Sequence, residues 1–203
     1  MAESHEGTKP VNKKLAAALS GGAVLILALT GCTSEEGNKE LDAWAKKVCD
    51  QVPAQNAKIS AAYVAITKAA KDTSSTPKEL QAADSKAFQD LADGYKARAA
   101  LIRDAGAPPG VEGGAKNQQD VVKKLTDLSA AYADLKKQVD GLNTKDQGKF
   151  ASGLKDVSAE MKQVETQRQN AIASLKKLES GDVKTALTSQ DGCKQAVESG
   201  AAG

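Results

Sequence analysis

Four long stretches of the chain carry apolar residues at alternating steps of three and four, the spacing of a single helix face. The clearest seam runs through Val121, Leu125, Leu128, Tyr132, Leu135, Val139 and Leu142, and it predicts a helix of roughly 27 residues. Phe150, Leu154, Val157, Met161, Val164, Arg168, Ala171, Leu175 and Leu178 repeat the rhythm. Upstream, Leu41, Ala45, Val48, Val52, Gln55, Ile59, Ala62, Ile66 and Ala69 follow it too, with Trp44 and Tyr63 flanking the seam. A fourth, less regular stripe passes through Leu80, Ala83, Ala87, Phe88, Leu91, Tyr95 and Ile102. No alternating strand pattern interrupts these stripes.

Punctuation between the stripes sets the element boundaries. Thr76-Pro77-Lys78-Glu79 reads as a capping box with proline at the first helical position, and Gly106 followed by Ala107-Pro108-Pro109-Gly110 is a stop. Residues 143–147 form a third connection. Pro53 falls inside the first stripe, where it lacks an amide hydrogen and collides with the preceding turn, so a kink or a break into two helices is expected there. Residues 180–203 carry a weaker pattern, enough for one or two short helices around Cys193. Short connections between long helices favour antiparallel neighbours. The expected fold is therefore all-α: an antiparallel, up-down-up-down four-helix bundle of heptad-patterned helices with a short helical C-terminal tail.

The N-terminus follows different rules. Lys9, Lys13 and Lys14 precede an apolar run over residues 15–29, broken by Ser20-Gly21-Gly22, long enough to enter a bilayer and short for a stable span. Leu29, Thr30, Gly31 and Cys32 close that run and resemble the lipobox of bacterial lipoproteins. The resemblance implies cleavage before Cys32, a diacylglyceryl group on its thiol, and a mature chain held on the extracytoplasmic face of the bacterial cell membrane. An ordinary secretory signal with an incidental Cys32, or an uncleaved membrane helix, are the alternatives. The domain reading is then 1–31 signal peptide, 32–40 lipidated tether and 41–203 helical bundle. Thr33 to Glu40 would reach at most roughly 28 Å fully extended, placing the near end of the bundle close to the membrane. Together with the Ala-rich heptads and two distant cysteines, the lipobox makes the chain similar to the small helical lipoproteins, often called small secreted proteins, of high-GC Gram-positive bacteria.

Those two cysteines, Cys49 and Cys193, lie near opposite ends of the remaining chain. Outside the cytoplasm an isolated pair of this kind forms a disulfide more often than a metal site. In an up-down bundle the start of the first helix and the tail after the fourth share an end, so the pair can meet.

Charge and chemistry narrow the functional classes. Without residues 1–31 the chain holds 25 Lys and Arg against 24 Asp and Glu, and aromatic residues make up 3% of the whole, so neither the charge field nor the stacking platforms of a nucleic-acid binder are expected. The single histidine is His5, inside the signal, which leaves no Ser-His or Cys-His pair and no imidazole ligand. The Glu-x-x-His of di-iron bundles and the Cys-x-x-Cys-His of c-type haem are absent, Met161 is the sole methionine after cleavage, and Gly113-Gly114 reads as loop punctuation. No metal and no cofactor are expected. Asp90 with Asp93, Asp120 with Asp127, and the Lys123-Lys124, Lys136-Lys137 and Lys176-Lys177 pairs read as solvated helix faces.

One constellation carries a sharper expectation. Counted along the seams, Gln55, Gly94, Asp127 and Arg168 fall at about one level of the bundle, a polar layer able to hold a small anionic or polar ligand; the plainer reading has Arg168 reaching out to surface carboxylates. Two functions follow. The first is a non-enzymatic envelope lipoprotein with a structural role or another envelope protein as partner, the alternative a lipoprotein capturing a solute in a cleft between helices. The dispersal of Trp44, Tyr63, Phe88, Tyr95, Tyr132 and Phe150 over all four helices counts against a pocket, and a large apolar groove would count for one. The heptad seams leave the oligomeric state open.

Overall fold

In the computed structural model, residues 34–200 are described, with side chains from residue 39 to residue 195. Residues 1–31, expected to be a signal peptide, with Leu29, Thr30 and Gly31 of the expected lipobox, and Cys32 lie outside the described residues. Every element is a helix: α1 Ser34–Cys49, α2 Val52–Lys71, α3 Pro77–Ala105, α4 Gly114–Asp140, α5 Gln147–Leu178, α6 Asp182–Ser189 and α7 Asp191–Gly200. No helix among the described residues is long and apolar enough to cross a membrane.

Local chemistry explains the boundaries. Pro53 breaks the first stripe in two: Asp50 and Gln51 form a turn, and the proline enters the first positions of α2, where its missing N–H has no helical acceptor to lose. Residues 34–40, read as tether, belong to α1. A helix advances about 1.5 Å per residue, so this stretch reaches less than half as far as an extended one. Thr76 and Glu79 make the reciprocal capping box that starts α3, and Asp146 caps α5 by accepting from the Lys149 amide. Gly106 ends α3 at φ 80° and Gly113 precedes α4 at φ 70°, left-handed conformations that suit glycine.

α4 is the spine of the core. Val121, Leu125, Leu128, Leu135 and Val139 are completely buried and Tyr132 nearly so, each large apolar side chain stabilising the fold by about 1.5–3 kcal/mol. Gln81 near the start of α3 donates to the Val139, Asp140 and Leu142 carbonyls, and Gln118 near the start of α4 donates to the Ile102 carbonyl, so the two helices run antiparallel. Ala83, placed on the α3 stripe from its spacing, is exposed. Gln81 and Ser85 face α4 instead, and Ala83, two residues from each, points the other way.

Around this spine, α2 packs on α3, α3 on α4 and α4 on α5, while α1 packs chiefly on α6, and α7 on α2. Trp44 on α1 donates its indole N–H to the Gly106 carbonyl at 2.9 Å. A disulfide joins Cys49 at the end of α1 to Cys193 in α7, with the Cα atoms 4.9 Å apart, and Gly192 lies directly against the Cys49 carbonyl. The N- and C-terminal short elements are thereby tied together across 144 residues of sequence.

Candidate functional site

α2 and α5 do not pack closely on each other, and the space between them is a groove of about 1630 Å³. Its origin is visible in α2. Val52, Ile59 and Ala62 bury toward the core, but Ala57, Ala61 and Val64 lie off that face and line the groove, Val64 with 61% of its surface exposed. Ile172 and Leu175 of α5 supply the opposite wall, and Tyr95 and Leu125 reach it from beneath.

At mid-length the groove meets a cluster of three tyrosines from three helices. The Tyr63 hydroxyl lies 3.0 Å from that of Tyr95 and 2.6 Å from that of Tyr132. The Tyr95 and Tyr132 rings stack with centroids 5.6 Å apart, and Phe88 stacks on the far side of Tyr132 at 6.4 Å. Burial raises all three phenol pKa values, Tyr63 most, with its two phenol neighbours adding to the effect, and Tyr132 is pushed up to about 12. All three are neutral hydroxyls at ordinary pH. Three hydroxyls carry three protons and their two mutual contacts use two, leaving one O–H to donate elsewhere.

Arg168 of α5 spans the groove at this level, its guanidinium 5.8 Å from the centre of the Tyr63 ring. Glu165 holds it in a fork, Nε to Oε2 at 2.7 Å and Nη2 to Oε1 at 2.6 Å. That pairing lowers the Glu165 pKa and raises the Arg168 pKa.

Toward the disulfide the groove joins a second, narrower trough of about 880 Å³ lined by Val48, Val52, Leu187 and Cys193. The two share Asn56, Arg98, Lys176 and Glu179. At this junction Arg98 is partly buried and donates from Nη1 to Asn56 Oδ1 at 2.6 Å. Burial lowers the Arg98 pKa and raises that of Glu179, each moderated by the other's charge. Among the described residues, five Lys and Arg line the wider stretch and Lys184 and Lys194 add two in the narrower one, against the acids Asp72, Glu165 and Glu179. A chain of formal charge +2 thus places a marked positive excess along one groove.

The four residues expected in one polar layer are not brought together. Arg168 faces Tyr63 across the groove. Gly94 lies under Ile59, whose Cγ1 would be 2.7 Å from a Cβ at that position. Gln55 is absent from the groove wall, and its Oε1 is buried without a hydrogen-bond partner among the described residues. Asp127 is exposed and paired with Lys123 at 2.5 Å, because it stands two residues after Leu125 and one before Leu128 and so points away from the seam. Arg168 meets α2 at Tyr63, eight residues past Gln55 and so about 12 Å further along that helix, so seam counting did not place the four at one height. The other carboxylates singled out by spacing are tied to neighbours on their own helices, Asp90 to Lys86, Asp120 to Lys124 and Asp93 to Gln89. Among the described residues no three His, Cys, Asp or Glu side chains stand together as a metal site.

What sequence spacing missed is the convergence of aromatics. Tyr63, Phe88, Tyr95 and Tyr132, dispersed over three stripes, meet in one cluster. The available signal was the off-seam Ala57, Ala61 and Val64, apolar positions with no partner assigned. The groove presents neutral hydroxyls, guanidinium and ammonium groups on apolar walls, a set suited to hold a polar head and an apolar body. No protein family model matches this chain, and no curated protein or solved structure gives a match.

Proposed function

We propose that this is a non-enzymatic lipoprotein, anchored through a diacylglyceryl group on Cys32 to the extracytoplasmic face of the bacterial cell membrane, that captures an amphipathic ligand in the groove between α2 and α5. In this proposal the long helices form an up-down-up-down bundle opened along one side, and the disulfide-tied end faces the membrane. The observation that carries it is the groove itself: apolar walls from Ile59, Val64, Ile172 and Leu175 around polar groups at Tyr63, Tyr95 and Arg98.

The other reading is a structural or interaction role, with a helix of another envelope protein seated in the groove. Exposed Val64 favours it. The Arg168 bridge over Tyr63 counts against it, since a helix about 10–12 Å across would have to lift Arg168 off Tyr63, whereas a single hydrocarbon chain is far thinner.

The test is binding of the neutral apolar dye N-phenyl-1-naphthylamine to the full chain and to Ala57→Trp and Ala61→Trp variants. Both alanines are exposed on the groove wall, so the indole fills the groove without entering the core. Saturable binding in the parent and its loss in both variants is the expected result. Unchanged binding in both variants would refute capture at this site.

A further inference from the structure

We infer that the captured ligand is a long-chain carboxylate whose headgroup is held by Arg98 where the two stretches of the groove meet, with its chain lying along the wider stretch toward Tyr63. This rests on the capture reading above. Two arginines face the groove, and they differ in what they have left to give. Arg168 commits its Nε and Nη2 edge to Glu165, whose carboxylate also offsets its charge. Arg98 carries five N–H donors, and among the described residues it uses one of them, on Asn56 Oδ1.

A guanidinium is planar and matches the two oxygens of a carboxylate with two parallel N–H bonds. Asn56 engages Arg98 through its carbonyl oxygen, so it orients the guanidinium while keeping its own amide N–H groups for a second acceptor. Lys176 lines both stretches, and Lys184 and Lys194 line the narrower one. The opposing acid is Glu179, which attracts Arg98 without forming an ion pair with it, and its burial favours the neutral carboxyl. The field at the junction therefore selects for a negative head. Beyond it Ile59, Ile172 and Leu175 give the rest of the molecule apolar contact, with Ser60 and Tyr63 beside them.

The experiment uses the full chain and three probes with one chain length and different heads: dodecanoate, dodecanol and dodecyltrimethylammonium, each kept below its aggregation concentration and read by displacement of N-phenyl-1-naphthylamine. Dodecanoate is expected to bind at least about tenfold more tightly than dodecanol, the scale of charge-assisted hydrogen bonds, and the cationic probe most weakly. Arg98→Gln should remove that preference and leave dodecanol within about twofold. Arg98→Lys should keep part of it, because an ammonium retains the charge and loses the fork. Lys123→Gln, on an exposed face away from the groove, should change nothing.

Equal binding of the three probes by the parent chain would overturn the headgroup inference while leaving capture standing. A carboxylate preference that survives in a folded Arg98→Gln chain would place the head elsewhere and overturn the assignment to Arg98. If Arg98→Gln does not fold, the three-probe comparison on the parent and on Arg98→Lys still decides. Failure of every probe to displace the dye, with displacement by an acidic amphipathic peptide, would overturn this inference together with the capture of a small amphiphile.

Discussion

Gly192→Ala sets two physical effects of opposite sign against each other. Gly192 lies in the first turn of helix α7, and replacing glycine by alanine stabilises a helix interior by about 1 kcal/mol and a first turn by less. In the folded protein a Cβ at this position would overlap the carbonyl oxygen of Cys49 and lie 2.8 Å from its carbonyl carbon. Both are backbone atoms, and no rotamer change can move them aside. The disulfide from Cys49 to Cys193, the next residue along, prevents α7 from sliding away. Overpacking of this kind costs typically 1–3 kcal/mol and occasionally more, and two pinned backbones put this site at the upper end. The net expectation is destabilisation of about 2 kcal/mol, or roughly 4–8 °C in Tm for a domain of this size. Urea unfolding followed by circular dichroism under oxidising conditions measures it, with a reduced sample as comparison, where α7 is freed and the loss should shrink. An alanine variant as stable as the parent, or more so, while the disulfide is intact would refute the packing of α7 against Cys49.

Two further perturbations test other parts of the fold. Reducing the disulfide should lower stability by up to about 5 kcal/mol in the chain-entropy model for a closure of this length, read as a drop in urea midpoint on adding reductant at constant pH. Tyr63, Tyr95 and Tyr132 are all the tyrosines the chain has, and each is raised above the ordinary phenol value. The unfolded chain ionises near pH 10 while the folded one holds its protons, Tyr132 to about 12, so this contribution to stability is complete below pH 10 and is lost as pH rises from there through the folded values. Phenolate absorbance should therefore stay low in native protein up to about pH 11 and rise together with unfolding; three tyrosines titrating near 10 in the folded state would contradict the buried cluster.

Helix existence was legible because it depends on neighbours three and four residues away. Val121, Leu125, Leu128, Tyr132, Leu135 and Val139 announce one face by spacing alone, and that face is buried throughout. Thr76 with Glu79 and Pro53 acted as read, since a cap and a missing amide hydrogen are satisfied or lost within one turn. Cys49 and Cys193 pair, as expected of two lone cysteines at the two ends of a helical domain. The proposed polar layer was not legible, because heptad position states which face of its own helix a residue occupies, while the heights at which separate helices meet depend on loops and packing. On a single helix one residue, about 100° of rotation, separates Asp127, on the surface, from Leu128, in the core.

By itself, then, the sequence determined that this chain forms amphipathic helices, roughly where each begins and ends, and which side of each avoids water, because those properties are set by local sterics, caps and periodic burial. Only the tertiary structure decided which helices touch. That α2 and α5 stand apart, that three tyrosines from three stripes share their hydroxyls, and that among the described residues Arg168 is paired with a carboxylate while Arg98 is not are outcomes of packing among distant segments. No periodicity encodes them, since each depends on the distance between side chains whose positions along the chain are unrelated.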